Sequence, residues 1–310
     1  MRKNSNVLGV ALIVVSSIGF GLAPTFAKFA YDSGANAVGT LLSRFSVATL
    51  LMLFVRQIIS HRSAAKDHPK AKWPNPKLFG QIFLLGALGY FIATILYFTA
   101  IEKIDSGLAI TIFYCNPVIV VLLSWWLLGN KPSRVIVWCL LSTLIGVAIA
   151  AGQVGNADAT SVILVLIVAV EYAFYMIVAS KVLPKTDLPT GVTIVMFGAA
   201  TAFVVYSLVA PDSVTVVFPS SSAGWLSVLM LAIVATVIPT ATLYAGMNLI
   251  GTGKTAIIQT FEPVASIIAG VIFLSEPLTL ARVVGAVFVI GAVGVLATVE
   301  SRSATRIIHQ

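Results

Sequence analysis

Long apolar runs separated by short polar breaks make up most of the sequence. Ten of them approach the roughly 20 residues with which an α-helix crosses about 30 Å of hydrocarbon. A longer break, 56–77, is polar and basic. The pattern therefore predicts an all-α integral membrane protein with ten transmembrane helices. The predicted spans are 7–30, 36–55, 78–101, 105–128, 134–152, 159–182, 189–210, 224–249, 253–274 and 280–298.

Composition excludes an ordinary soluble protein. Hydrophobic residues make up 59% of the chain and charged residues only 10%, whereas soluble domains carry about 25% charged residues. A soluble fold would have to expose much of this apolar surface to water. The net charge of +8 would suit nucleic acid, but the cations lie in breaks between spans and do not line one face. We therefore expect the lipid bilayer, and no nucleic acid, as a partner.

The distribution of Lys and Arg predicts the orientation in the membrane. Ten spans place both termini on one side. With the N-terminus in the cytoplasm, 15 of the 19 Lys and Arg residues fall in cytoplasmic breaks; Lys28, Lys103 and Arg282 face outside, and Arg44 lies within a span. Positive charge favours the cytoplasmic side. We predict a multi-pass protein of the cell inner (plasma) membrane, with the basic loop 56–77 and the tail 300–310 both cytoplasmic.

An internal repeat divides the chain into two halves. Residues 105–133 align without a gap with 251–279, an offset of 146 residues that pairs Pro117 with Pro263. The predicted repeats are 1–152, with the first five spans, and 153–299, with the last five. Because five is odd, the second half enters the membrane from the opposite face. Such inverted repeats are common in secondary transporters.

Several short motifs occur in a set order along both halves. They are Phe261-Glu262-Pro263-Val264, residues 273–279 and Gly285-Ala286, and more loosely Phe20-Gly21, Ser43-Arg44-Phe45, Asn116-Pro117 and Leu128-Gly129. Together they resemble the EamA-type branch of the drug/metabolite transporter superfamily, which includes aromatic amino acid exporters. One departure is Asn130, where the family often has Glu; the second-half counterpart, Glu276, is kept. The resemblance implies two inverted five-helix repeats around a central cavity, and export or exchange of small metabolites without ATP.

Ionisable side chains within the predicted spans are candidates for function, because a charge at the centre of the bilayer costs roughly 2.5–3.5 kcal/mol on insertion scales. Glu262 precedes Pro263, which lacks a backbone donor and frees a carbonyl one turn earlier. This arrangement suits a substrate ammonium group or a proton. Glu171 has Tyr175 one turn later, which suits a cation. The alternative is that each carboxyl only bonds a neighbouring helix.

Polar stripes at helical spacing predict a wet cavity inside the bundle, because polar groups avoid lipid. The alternative is interhelical hydrogen bonding in a dry bundle. Lys28 and Arg44, whose long stems can reach the membrane interface, are predicted to be structural or ion-pairing residues. For Arg44 the alternative is binding of a substrate carboxylate. Pro24, Pro117, Pro239 and Pro263 are predicted hinges. The predicted cavity residues are Tyr90, Thr94, Tyr97, Asn116, Glu171, Tyr175, Thr240, Tyr244, Asn248, Gln259 and Glu262.

These features predict a secondary transporter that works by alternating access, with amino acids as the first choice of small-molecule substrate. The alternatives are efflux of cationic drugs or other metabolites, and a receptor or scaffold that transports nothing. An intramembrane enzyme is not expected, because no predicted span contains His and none has Asp in its interior. We expect no metal and no cofactor, and the sequence leaves the oligomeric state open.

Overall fold

The computed structural model describes residues 2–64, 72–116, 158–209, 215–250, 261–281 and 283–288, with further positions within 119–149 and at 255, 258–259, 290–292 and 295. Every regular element in this part of the chain is helical, which agrees with the predicted all-α class. Pro117 and the tail 300–310 lie outside the described residues, as do most of the predicted span 134–152 and part of the loop 56–77.

The described helices of the first half form three long stretches and a short one. The first stretch contains α1 (Arg2–Gly21) and α2 (Ala23–Asp32), and the second is α3 (Ala37–Ala64). The third runs from α4 (Pro76–Leu84) through a π-helical turn (Leu85–Tyr90) into α5 (Phe91–Ala100), and α6 (Ser106–Phe113) follows.

The second half has a similar sequence of elements. It begins with α7 (Ala159–Val182), a 3₁₀ turn (Leu183–Lys185) and α8 (Leu188–Val209). Next come α9 (Ser222–Ala232), a second π-helical turn (Ile233–Val237) and α10 (Ile238–Ile250), followed by α11 (Phe261–Leu274).

Five of these stretches are long and apolar enough to cross a membrane: Val7–Asp32, Ala37–His61, Pro76–Ala100, Leu188–Val209 and Ser222–Ile250. They agree with five predicted spans to within a few residues, so the chain is a multi-pass membrane protein. The helix α7 coincides with a sixth predicted span, 159–182. The described helices in 105–128, 253–274 and 280–298 cover only parts of those predicted spans.

The third stretch of each half starts in the same way. The Asn75 side chain accepts a hydrogen bond from the Leu78 amide at 2.8 Å, and the Ser221 hydroxyl accepts one from the Gly224 amide at 3.1 Å. Both are N-caps, which satisfy amides that a helix start leaves unpaired. Asn75 and Ser221 are 146 residues apart, the offset of the sequence repeat, and each cap is followed by a π-helical turn.

Three of the predicted hinge prolines lie near helix starts. Pro24 and Pro239 are the second residues of α2 and α10, and Pro263 is the third residue of α11. The predicted continuous runs 7–30 and 253–274 are therefore interrupted, at Leu22 and near Gln259. A proline in the first turn of a helix removes an amide that had no partner there.

Helices of one half pack mainly on helices of the other. In the described part of the chain, α1 packs along α10 and against α11, while α7 packs along α5 and against α6. The helix α3 packs along α8. If the two halves are exchanged, the α1–α10 pair becomes the α7–α5 pair and the α3–α8 pair remains itself.

Candidate functional site

A cavity of about 110 Å³ lies inside the helical bundle. Its walls come from α1, α2 and α3, from the third stretch of each half, and from α6, α7 and α11. Both halves therefore contribute to it. The lining residues are Phe20, Ala23, Pro24, Arg44, Tyr90, Ala93, Thr94, Tyr97, Phe98, Ile110, Phe113, Val168, Tyr172, Tyr175, Thr240, Leu243, Tyr244 and Glu262.

Aromatic rings in contact with one another form much of the wall. Tyr90 meets Tyr175 edge to face with ring centroids 5.7 Å apart, and Tyr175 stacks on Tyr172 at 5.8 Å. Tyr172 then meets Phe113 at 5.1 Å, and Phe113 meets Tyr97 at 6.1 Å. These centroid distances lie in the favourable range for aromatic pairs, so the chain of rings forms a stiff, mostly apolar surface.

Glu262 provides the carboxyl group of the cavity. It lies in the first turn of α11, and its Oε2 is 3.3 Å from the hydroxyl of Tyr114, which donates to it. The hydroxyl has one hydrogen, so this bond is bifurcated: the hydrogen is shared with the backbone carbonyl of Gln259, at the interruption before α11. Tyr114 directly follows α6, so one phenol from the first half holds the start of a helix in the second half.

Arg44 provides the positive charge of the cavity, and only 2% of its surface is exposed. Its Nε donates to the Thr236 hydroxyl at 2.5 Å, and its Nη2 donates to the Ala235 carbonyl at 3.2 Å. Both partners lie in the second π-helical turn. The guanidinium carbon is also 5.0 Å from the ring centroids of Phe45 and Phe98.

Arg44 was predicted to be structural or ion-pairing, and its described partners are all neutral. Among the described residues no carboxylate lies within ion-pair distance of it. Its Nη1 is buried without a hydrogen-bond partner, and so is the hydroxyl of Tyr97. Two buried donors on this cavity are therefore unsatisfied within the described part of the chain.

The structure brings seven of the eleven predicted cavity residues to this cavity. The described lining does not include the other four, Asn116, Glu171, Asn248 and Gln259. The seven are Tyr90, Thr94, Tyr97, Tyr175, Thr240, Tyr244 and Glu262.

The four remaining residues have other surroundings. Asn116 donates from its amide to the Phe113 carbonyl at 3.2 Å, and Gln259 offers its backbone carbonyl to Tyr114. Asn248 borders a separate cavity of about 20 Å³ beside the 3₁₀ turn. Glu171 packs against the first π-helical turn, with one carboxyl oxygen buried and unpartnered among the described residues.

Helix geometry explains why Glu171 is to one side. The residues of α7 that line the cavity are Val168, Tyr172 and Tyr175, spaced by four and three residues, which is one helical face. Glu171 belongs to the neighbouring strip of the helix. Glu171 does lie one helical turn before Tyr175, but only Tyr175 of the two lines the cavity.

Lys28 and Glu276 form an ion pair, with the ammonium nitrogen 3.4 Å from a carboxylate oxygen. The same oxygen accepts hydrogen bonds from the Ser106 amide at 3.1 Å and hydroxyl at 2.8 Å. We call Lys28, Ser106 and Glu276 the Lys28–Glu276 cluster. It ties α2 and the start of α6 to the segment after α11, at one end of the bundle.

Sequence reasoning missed several aromatic lining residues, and it missed Tyr114, which holds Glu262. Phe20, Phe98 and Phe113 look like ordinary core residues in an apolar run. The repeat offset was an available signal for Tyr114. It pairs Tyr114 with Thr260, which follows Gln259 and lies two residues before Glu262 in the sequence.

Comparison with known proteins agrees with this architecture. The chain is similar to the uncharacterized transporter YcbK of Bacillus subtilis (strain 168), at 23% identity over 89% of this chain and 88% of that protein. It is also similar to the uncharacterized transporter sll1319 of Synechocystis sp., at 22% identity over 95% and 94% of the two chains. The names of these relatives give no substrate.

A crystal structure of another protein shares the fold. It superposes with a TM-score of 0.62, covering 97% of this chain and 99% of the other, at 18% sequence identity. The model of the EamA-like transporter family matches twice, over residues 7–152 and 159–298. Because these two matches span most of the sequence, the protein belongs to the EamA-like transporter family and is a membrane transporter.

Proposed function

We propose that the protein is a secondary transporter that exports or exchanges small metabolites, above all amino acids, by alternating access. One observation carries this proposal. A single aromatic-walled cavity in the bundle presents a guanidinium from Arg44 and a carboxyl from Glu262, which belong to different halves of the chain. The two groups form no ion pair with each other, so each is available to a ligand of opposite charge.

The size and charge of the cavity favour a zwitterion over a cationic drug. Sites for drug-sized ligands have volumes of roughly 300–1,000 Å³, and this cavity has about 110 Å³. A cationic drug would also face repulsion from Arg44. A small molecule with one ammonium and one carboxylate balances both charges, and an apolar side chain fits the aromatic wall.

We propose the architecture that the sequence predicts: ten helices in two inverted repeats, 1–152 and 153–299. Three features of the described residues support it. The helix N-caps Asn75 and Ser221 share the repeat offset, and both third stretches contain a π-helical turn. The α1–α10, α7–α5 and α3–α8 packing pairs are also preserved when the halves are exchanged. In such transporters, one half rocks against the other around a central site.

We also propose that the protein lies in the inner membrane with both termini in the cytoplasm. The Lys and Arg asymmetry of the sequence supports this orientation. It would put the Lys28–Glu276 cluster, which joins the two halves, on the outer side. Lipid and a small-molecule substrate are then the expected partners, and we propose no role for nucleic acid, metal or cofactor.

Exchange in proteoliposomes tests the proposed function. Vesicles containing the purified protein are loaded with an unlabelled amino acid, and uptake of the labelled one is followed over a panel of amino acids. We expect uptake by the wild type. The variant Glu262→Gln should lower it by about tenfold or more, because the substrate ammonium loses a charged partner in a dry site.

The matched control is Glu102→Gln. Glu102 lies outside the cavity, where its Oε1 accepts a hydrogen bond from the Ala37 amide at 2.6 Å. This variant should transport like the wild type. If the wild type exchanges a lipophilic cation and no amino acid, drug efflux is favoured. If it exchanges no solute at all, a scaffold is favoured. Either result would contradict amino acid transport.

A further inference from the structure

We infer that Arg44 and Tyr97 form a carboxylate subsite in the cavity and that a substrate must carry a carboxylate to bind there. This inference rests on the proposed transport of small metabolites and names the group that is recognised. For Arg44 it favours carboxylate binding over the structural or ion-pairing role, the two roles that the sequence leaves open.

The guanidinium of Arg44 is held in one orientation. Thr236 and Ala235 take hydrogen bonds from Nε and Nη2, while the rings of Phe45 and Phe98 lie 5.0 Å from the guanidinium carbon. Thr236 in turn donates its hydroxyl to the Leu231 carbonyl at 2.7 Å, so its oxygen is left to accept from Arg44. These contacts fix one edge of the guanidinium fork and leave Nη1 without a partner among the described residues.

Two of the residues that line the cavity contribute buried donors without a partner. Arg44 Nη1 and the Tyr97 hydroxyl are both buried and unpartnered in the described part of the chain. Both residues line the same cavity of about 110 Å³, so a small ligand that fills it contacts both of them. Buried donors of this kind are rare without a partner, and an acceptor in the cavity would satisfy both.

The acceptor has to be an anion. The described partners of Arg44 are all neutral, and a buried cation without a counter-charge is unfavourable. The planar guanidinium matches the geometry of a carboxylate or a phosphate. Glu262 lines the same cavity and would repel the second charge of a phosphate or of a dicarboxylate. One carboxylate, with an ammonium near Glu262, balances the charges of the site.

Binding measurements test the subsite separately from transport. The purified full-length protein in detergent is titrated with three probes that share a phenyl ring: phenylalanine, phenylacetate and phenethylamine. We expect phenylalanine and phenylacetate to bind, and phenethylamine, which has no carboxylate, to bind at least about tenfold more weakly than phenylalanine.

Conservative variants then assign the effect to the two donors. Tyr97→Phe removes a single hydroxyl and should weaken phenylacetate binding several-fold while leaving phenethylamine binding unchanged. Arg44→Gln should abolish phenylacetate binding, and Arg44→Lys should restore part of it, because the charge returns without the planar fork.

Matched controls are available outside the cavity. Tyr31→Phe removes a hydroxyl that donates to the Phe98 carbonyl at 3.1 Å. Arg56→Lys changes a buried arginine that donates to the Thr190 hydroxyl and lies over the ring of Trp73. Both variants should bind the three probes like the wild type, and elution as a single peak from size exclusion shows that each variant is folded.

The outcomes separate the two proposals. If amino acids exchange across the membrane but Arg44→Gln and Tyr97→Phe bind phenylacetate as the wild type does, the subsite is wrong and the proposed function stands. If the carboxylate probes bind and the variants lose them while no amino acid exchanges, the subsite stands and the proposed substrate is wrong. Equal binding of phenylalanine and phenethylamine overturns the subsite.

Discussion

At the scale of single residues, Gly86 lets two helices approach unusually closely. It lies in the first π-helical turn, and a Cβ built on it would be 2.0 Å from the backbone carbonyl oxygen of Val195 in α8. On the facing helix, a Cβ on Gly198 would be 2.2 Å from the Phe83 carbonyl oxygen. Small residues at such contacts let helix backbones pack tightly in a membrane, where packing replaces the hydrophobic effect.

The variant Gly86→Ala should therefore destabilise the protein. Its methyl group meets backbone and not a movable side chain, so overpacking should cost about 1–3 kcal/mol. Thermal unfolding in detergent measures the effect. The control is Gly80→Ala in α4, where an added Cβ has nothing within 4 Å and where Ala favours the helix by about 1 kcal/mol. If both variants unfold at the same temperature, the close contact at Gly86 is wrong.

Helical spacing predicted the cavity residues best in the third stretch of the first half, where one stripe of residues along the helix faces the cavity. Tyr90, Thr94 and Tyr97 all line the cavity because residues three and four apart share a helix face. Asn248 extends the α10 stripe one turn too far and reaches a different cavity. The free Nη1 of Arg44 was not predictable, because it depends on which groups of another helix face the guanidinium.

At the scale of elements, the starts of the helices are fixed by local polar contacts. Asp158 is the N-cap of α7: its carboxylate accepts hydrogen bonds from the Ser161 amide at 2.8 Å and hydroxyl at 2.7 Å. Both bonds favour the charged form, so the Ser161 hydroxyl, followed by the Ser161 amide, holds the pKa of Asp158 below its usual value of 3.8. A negative charge at a helix N-terminus is favourable in itself.

This lowered pKa predicts a pH dependence. The stabilisation by the ionised cap is fully present above the ordinary aspartate pKa of 3.8. It is lost as the pH falls through the lower pKa of the folded state. The variant Asp158→Asn keeps a capping oxygen without the charge. At neutral pH we expect the wild type to unfold at a higher temperature than Asp158→Asn. The difference in unfolding temperature should shrink only below pH 3.8. A difference that is the same at every pH would contradict the prediction.

The sequence predicted the position of long helices but not their internal changes. Hydropathy is continuous through Leu85–Tyr90 and Ile233–Val237, because a π-helical turn alters hydrogen bonding and not polarity. The interruption at Leu22 is hidden in the same way. The signal that does mark it, Pro24, was interpreted as a hinge within one helix.

At the scale of the whole molecule, the Lys28–Glu276 cluster makes the two ends of the bundle unequal. The offset of 146 residues relates Glu276 to Asn130, and a weaker sequence match at an offset of 153 residues relates Lys28 to Lys181. The equivalent ion pair in the other repeat therefore lacks its acid. The ends of a symmetric transporter would close equally well. Here one end has a charged contact between the halves, and we expect it to favour the conformation with that end closed.

Removing the acid should open that end more often. In a background with Cys115→Ser and Cys139→Ser, the variant Ala93→Cys places a thiol on the cavity wall for labelling by a membrane-impermeant maleimide in oriented vesicles. Adding Glu276→Gln should increase labelling from the Lys28 side several-fold, because the population shifts towards the open state.

The control is Glu102→Gln, which removes an acid near the same end of the bundle, between α5 and α6, but outside the cluster. Its labelling rate should equal that of the background. An unchanged rate in Glu276→Gln would show that the ion pair does not hold the end closed.

The exchange of packing partners between the halves has a consequence for biosynthesis. The helix α1 ends at Gly21, whereas its packing partner α10 begins at Ile238. Most of the chain is therefore still untranslated when α1 enters the membrane. Until the second half is made, the surfaces of the first half that pack on it are exposed to lipid. We expect neither half to fold stably without the other. If the two halves are expressed as separate chains, each should be degraded when expressed alone, and both should be stable when expressed together. The two halves would then behave as the subunits of an obligate heterodimer that is encoded as one polypeptide.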